Sequence, residues 1–412
     1  MNSICYIGDL RNGSRHIVLF MTTILMISIM LIPDLSFIGT ETMILVSAMW
    51  LGTIVSSFGK QRKLIRAMMV SAFLYFFLVF FYKFLGISEA TWDIAAGYFG
   101  WMMTIIIGTY AIQIFPKVLL RWIEYVEMVV VVISIVYVTL NGQKNMLIMN
   151  MEDVISQESP AYGSSIMLFS GICFIALLGY KSKFKKIIYA IALLLALNLN
   201  FTIMQRGTNV VFTVLMLILI FIFRKSTKST AKFILFTFLI VILIYSTGVY
   251  IAFLDFLVGM ISSERVASRI ASISIFLQTG DYLEAGTSFA TRSDLTLTSL
   301  KTFYSSFSNF LFGIGDSRGF STKIGDHSEI IDSLARYGIL GFTFIFSSFC
   351  NQFRYLSKFL TVGDPIRYQI LIVFIIYVLR NVIGNSMTSA IGILLFLYMP
   401  VVIYFIKIQK IK

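Results

Sequence analysis

The sequence predicts an all-α integral membrane protein of about twelve transmembrane helices, with one large external loop containing amphipathic helices. Composition and the placement of charge carry that expectation. Apolar residues make up 58% of the 412-residue chain and charged residues only 13%. Counting the 27 Gly in place of the 20 Tyr gives about 60% apolar, against roughly 45–50% apolar and 25% charged in soluble domains. With 39 Phe, 20 Met and 5 Pro, the chain holds more apolar surface than a soluble core of this length can bury. A disordered chain, a secreted disulfide scaffold and an ordinary cytosolic enzyme are excluded.

Runs long enough to cross hydrocarbon fall near 17–32, 42–58, 67–87, 94–115, 125–140, 162–180, 187–204, 210–223, 233–253, 338–353, 367–386 and 388–406. The chain divides into a bundle of nine helices over 1–253, a loop over 254–337 and a bundle of three helices over 338–412. His16 opens the first run after Arg11, and no small-residue cleavage site follows, so this segment reads as a retained helix. Cys5, Cys173 and Cys350 are scattered, and the latter two sit in apolar runs as small hydrophobes.

Basic residues alternate between the two sides of these runs. One set of connections holds 22 of the 33 Lys and Arg, including Lys60–Arg66, Lys181–Lys186 and Arg224–Lys232, with only Asp9, Glu124 and Asp364 as acids. The other set holds nine basic residues and 16 acids. The positive-inside rule places the first set and both termini in the cytoplasm of a multi-pass membrane protein. The net charge of +13 is therefore mainly a topology signal, and no nucleic-acid partner is implied.

The connection over 254–337 runs to some eighty residues, a length that usually marks function or disorder, and it is too apolar for disorder. Val266, Ile270, Ile273 and Leu277 recur at helical spacing, with Arg265 and Arg269 on another face suited to anionic lipid. Leu300, Phe303, Phe307 and Phe310 form a second stripe after Ser293 and Asp294, either of which can cap a helix. Both stripes fit amphipathic helices lying on the outer surface of the bundle.

Nucleotide and metal signatures are missing. There is no Gly-x-x-x-x-Gly-Lys-Ser/Thr and no HExxH, and His16 and His327 are too far apart in sequence to suggest a multi-histidine metal site. No metal or other cofactor is expected. Gly313-Ile-Gly315 lacks the strand–helix unit of a dinucleotide loop. What remains is a set of external cations. Arg206 stands at the break between the seventh and eighth helices, where Asn198, Thr202, Gln205 and Asn209 follow one helical face. A polar stripe ending in Arg at the membrane boundary is costly unless it faces protein or a wet cavity, whereas an isolated Arg there would simply reach into lipid headgroups.

Arg292 stands where the second loop helix is expected to start. A cation there opposes the helix dipole unless both face a bound anion, and an exposed loop arginine is the alternative. Lys83 and Arg380 fall inside apolar runs near their external ends. Lys83 can snorkel, while Arg380, with Asn381 and Asn385 beside it, is the better candidate to face inward. The densest polar stretch is 313–332, where Asp326, His327 and Glu329 precede a helix whose Ile330, Ile331, Leu334 and Tyr337 are expected to pack inward. His327 can take a proton near neutral pH, or it can serve only as a hydrogen-bonding helix-start residue. A lipid-linked diphosphate at the outer leaflet would need such cations and one base; neutralised by two or three arginines, it leaves without metal or ATP.

Phe-Gly-Ile-Gly-Asp (312–316), His327-Ser-Glu and Ala-Arg-Tyr-Gly-Ile-Leu-Gly (335–341), after many helices and a late external loop, resemble the O-antigen ligase/polymerase superfamily. The Wzy-type repeat-unit polymerases of O-antigen, capsule or exopolysaccharide assembly are the most similar type. The resemblance covers 292–341 plus Arg206 at a helix break. It implies a helical glycosyltransferase fold acting on undecaprenyl-diphosphate-linked saccharides at the external membrane face, inverting and metal-independent. Arg206 and Arg292 would hold the diphosphate, joined by Arg380 from the residue reading. His327 would activate the acceptor; because Ser328 stands where Asn is common, Asp326 and Glu329 remain alternative bases. Implied partners are membrane lipid, a chain-length regulator and a flippase of the same pathway.

A ligase transferring finished glycan to an acceptor would use the same residues. A flippase or secondary transporter also suits twelve helices, but transporters place polar residues at mid-membrane in repeated halves, and these gather externally. Reporter fusions within 181–186 or 224–232 are expected to read cytoplasmic and fusions within 254–337 external; the opposite pattern would invert the assignment.

Overall fold

The computed structural model describes residues 13–31, 115–145, 163–204, 207–224, 287–315, 323–325, 328–358, 364–383 and 389–411, with single positions between these segments. Among the described residues there are helices and their connections but no strand. In chain order they are α1 (Gly13–Leu31), α2 (Lys117–Asn145), α3 (Gly163–Gly179), α4 (Lys183–Asn198) with a π-helical continuation (Leu199–Met204), and α5 (Gly207–Ile222). After these come α6 (Thr287–Tyr304), α7 (Phe307–Phe312), α8 (Glu329–Lys358), α9 (Pro365–Ile383), and α10 (Ser389–Ile393), which runs through a second π segment (Leu394–Tyr398) into α11 (Met399–Ile411).

Four stretches among the described residues are long and apolar enough to cross a membrane: Lys117–Leu140, Lys183–Phe201, Pro365–Val382 and Ile391–Gln409. Ser164–Gly179 and Asn209–Ile222 are shorter apolar helices. The spans expected at 42–58, 67–87, 94–115 and 233–253 lie largely outside the described residues. So does the stripe Val266, Ile270, Ile273 and Leu277, although Ser268, Ala271, Ser272, Ser274 and Ile275 between them and Gln278 just after are helical.

Sequence dictates which helix is central. α3 carries no charge and is apolar nearly all round, which is the mark of a helix enclosed by others. Ile166 to Cys173 are buried without interruption, the small Ser170 and Gly171 included. A Cβ on Gly171 would lie 2.7 Å from the Met216 side chain of α5, so the missing side chain is what lets the two helices approach. Ser170 donates to the Ile166 carbonyl at 2.8 Å, satisfying its hydroxyl within its own helix.

The second central element is α10–α11. Ile391 to Val402 are buried, and the π segment widens the helix where Gly108 meets it. A Cβ on Gly108 would collide with the Phe396 carbonyl. Around this pair stand α2, α4, α5 and α9. Their outward residues recur at helical spacing: Val118, Trp122, Val129, Ile133, Val136 and Leu140 on α2, and Ile187, Ile191 and Leu194 on α4, all exposed. Apolar stripes facing away from the core are what lipid-facing helices present, and such apolar helices are compatible with a membrane location.

A second, separate core holds α6, α7 and the start of α8 together. Phe303, Ile324 and Ala335 are buried there, with Phe310, Ile314 and Leu334 packed on them. The stripe expected over 300–310 is therefore split: α6 ends at Tyr304, Ser306 caps α7 by accepting from Asn309 N at 3.0 Å, and Phe307 is exposed.

Gly108→Ala is expected to destabilise the detergent-solubilised protein by about 1–3 kcal/mol, because the added methyl meets backbone that cannot swing aside. Gly52→Ala, with nothing within 4 Å of its Cβ position, should leave the thermal melt unchanged.

Candidate functional site

Helix α8 opens on a polar cap. Ser328 Oγ accepts from Ile331 N at 3.3 Å, and the Asp332 carboxylate accepts from Ser328 N at 2.9 Å, a reciprocal cap that satisfies two backbone donors. The other oxygen of Asp332 accepts from Ser299 Oγ of α6 at 2.5 Å, and Ser299 in turn accepts from Gly325 N at 2.9 Å. One buried carboxylate thus ties down the chain on both sides of 326–327. Asp326 and His327 themselves lie outside the described residues.

Glu329 occupies the first turn of α8 and is only 6% exposed, where the helix dipole favours its negative charge. The inward face of this turn differs from the expected one. Ile330, Ile331 and Leu334 are half-buried, whereas Glu329, Asp332, Ser333 and Arg336 are buried alongside Tyr337. The hydrogen bonds to α6 and to the segment after α7 pull the polar side inward and override the apolar periodicity.

Ten residues into α8 the helix kinks at Gly338, which adopts φ 61 and ψ −170. The break interrupts the helical ladder, and new donors take the Ala335 and Arg336 carbonyls: Ile314 N at 3.0 Å and Gly315 N at 2.8 Å. Gly313, at φ 77, crosses so close that a Cβ there would collide with the Arg336 carbonyl, and one on Gly338 would collide with the Leu311 carbonyl. The glycines of Phe-Gly-Ile-Gly and Tyr-Gly are therefore two halves of one backbone crossing.

α6 begins at Thr287 rather than after Ser293 or Asp294, so Arg292 stands in its second turn and not at its start. The expected opposition between its charge and the first-turn dipole falls away accordingly. Its side chain lies outside the described residues.

The second group of site residues meets at one bundle end. Arg380, 7% exposed in the last turn of α9, donates from Nε to Asn209 Oδ1 of α5 at 2.6 Å. Asn209 O accepts from Thr213 Oγ1 at 2.6 Å, and Thr213 Oγ1 accepts from Asn200 Nδ2 at 2.8 Å. Arg380 faces inward, as its flanking asparagines suggested. The stripe is corrected in one respect: Asn198 is exposed, and Asn200 takes its place in the buried network. The π turn over Leu199–Met204 adds residues per turn and shifts the register away from α-helical spacing. Arg206, together with Gln205, lies outside the described residues, between this turn and α5.

Both groups share an end of the bundle. α8 and α9 are consecutive and packed together, with only 359–364 between them, so they run antiparallel. The kink at Gly338 and Arg380 at the far end of α9 are thereby brought to the same side.

Sequence reading missed one cluster at the other end. Glu124 of α2 is fully buried and accepts from Lys185 Nζ at 2.7 and 2.8 Å, from Tyr180 OH at 2.5 Å and from Tyr189 OH at 2.8 Å. The Lys185 ammonium also sits 4.4 Å from the Tyr180 ring centroid. The charge pattern treats Lys185 only as one of the cytoplasmic-side basic residues. The available signal is Glu124, one of only three acids on the basic side, with Lys185 one turn before Tyr189.

Among the described residues no group of His, Cys, Asp or Glu has the arrangement of a metal site. Asp332→Ala is expected to release both the α8 cap and the Ser299 link, costing about 1–3 kcal/mol in a thermal melt. Ser299→Ala should cost less, since it spares the cap. Comparison with known proteins finds no matching family model and no match among curated proteins.

Proposed function

We propose that the protein is a glycosyltransferase that polymerises undecaprenyl-diphosphate-linked oligosaccharide repeat units into O-antigen, capsule or exopolysaccharide at the external face of the cytoplasmic membrane. The observation that supports this reading best is the meeting, at one bundle end, of the buried Arg380–Asn209 contact with the glycine crossing and the capped turn that bracket Asp326–His327. A cation held in place by protein, at the level where a membrane helix ends, suits a diphosphate presented from the outer leaflet.

In the reaction, a terminal hydroxyl of a fresh lipid-linked repeat attacks the anomeric carbon of the growing polymer. The new carbon–oxygen bond forms as the bond to diphosphate breaks. The hydroxyl proton passes to His327, Asp326 or Glu329, and undecaprenyl diphosphate departs with its charge held by Arg206, Arg292 and Arg380. Buried in the first turn of α8, Glu329 has a ready structural role, which favours one of its two predecessors as base. A chain-length regulator and a flippase would act before and beside this step.

The test is the lipid-linked glycan profile of a deletion strain complemented with wild type or single variants. Arg206→Ala, Arg292→Ala and Arg380→Ala are each expected to slow transfer by about 10²–10³-fold and leave single repeats at normal protein level. Full polymer stranded on undecaprenyl diphosphate would make the protein a ligase instead. Repeats trapped on the cytoplasmic face would make it a flippase, and unchanged glycan in the deletion would remove the reading altogether.

A further inference from the structure

The Glu124 cluster contains a second carboxylate one helical turn along α2. Glu127 is fully buried, and among the described residues neither of its oxygens has a hydrogen-bond partner. It lies within electrostatic reach of Glu124 and of Tyr398 in the second π segment. Among the described residues, the titratable groups of this cluster are Glu124 on α2, Lys185 and Tyr189 on α4, Tyr180 before α4 and Tyr398, whose hydroxyl reaches Tyr189 OH at 3.4 Å, with Cys173 of α3 beside Tyr398. Only one of them is a cation, and its ammonium is bonded to both oxygens of Glu124. With both carboxylates ionised, the cluster would hold one uncompensated negative charge out of contact with water, a state that proteins relieve by taking up a positive charge.

We propose that Glu127 is a proton-binding site, occupied as the neutral carboxylic acid in this packing. A metal cation fits poorly, because it needs several ligands, and among the described residues no group of His, Cys, Asp or Glu has the arrangement to supply them. On release, the carboxyl O–H bond breaks and the proton passes to water at the end of the bundle where the otherwise buried Lys185 side chain keeps 11% exposure. A second carboxylate then stands one turn from Glu124 and competes for the single ammonium. Proton release is thereby coupled to the ion pair that joins α2 to α4. The site is at the opposite end from the proposed transferase site and does not depend on that reading.

Infrared spectroscopy of the full chain in lipid nanodiscs tests this directly. Wild type should show a protonated-carboxyl C=O band that shifts in heavy water, is lost in Glu127→Gln and survives in Glu329→Gln. Glu127→Asp should keep a displaced band, which covers the case in which the glutamine variant fails to fold. Identical spectra for wild type and Glu127→Gln, with both folded, would overturn the proposal. So would a thermal stabilisation by sodium or potassium over choline that vanishes in Glu127→Gln, since the occupant would then be a metal cation.

Discussion

Hydrocarbon offers no water to a stranded donor or acceptor, and that constraint orders the whole molecule. Ser170 and Asn381 bond back to their own helices, whereas Glu124, Lys185, Asn209 and Arg380 gather in knots where several helices end. The Glu124–Lys185 pair is the densest knot. It links α2 to α4, engages Tyr180 at the α3–α4 connection, and through Tyr189 reaches Tyr398 in the last helical element. A buried pair of this kind contributes little net stability compared with an apolar replacement, yet losing one partner leaves the other charge buried and costs about 3–5 kcal/mol. Its effect is therefore to fix which helices meet and in what register.

At the opposite end the same constraint works through neutral groups and one guanidinium. Asn200, Thr213, Asn209 and Arg380 come from three elements that sequence separation alone would not bring together. The π turn makes the arrangement possible by rotating Asn200 into the interior. Beyond this node the chain leaves the bundle and builds a small core of its own around Phe303, Ile324 and Ala335. That core joins α8 through backbone as much as through side chains. The freed carbonyls at the Gly338 kink receive Ile314 and Gly315, and the carboxylate of Asp332 holds the chain from both sides of Asp326–His327. The two flanks of 326–327 are thus held by a kinked helix whose unsatisfied groups are met by the segment crossing it.

The amino-acid sequence by itself determined the class of the molecule. Apolar runs and their lengths marked out the helices at 125–140, 162–180, 187–204, 210–223, 367–386 and 388–406, because the hydropathy signal depends only on local composition. The inward placement of Arg380 was also legible, since a guanidinium beside Asn381 in an apolar run has few alternatives. Tertiary structure decided everything that depends on register or on a distant partner. Asn200 replaced Asn198 because a π turn has no sequence signature at α-helical spacing. Arg292 fell in the second turn of α6 because the helix starts earlier than its best capping residues suggest. The polar side of the α8 entrance turned inward because Ser299, 33 residues away from Asp332, offered it a partner. Lys185 was buried for the same reason: periodicity records which residues share a face, but only packing decides which charge finds its opposite before it meets water.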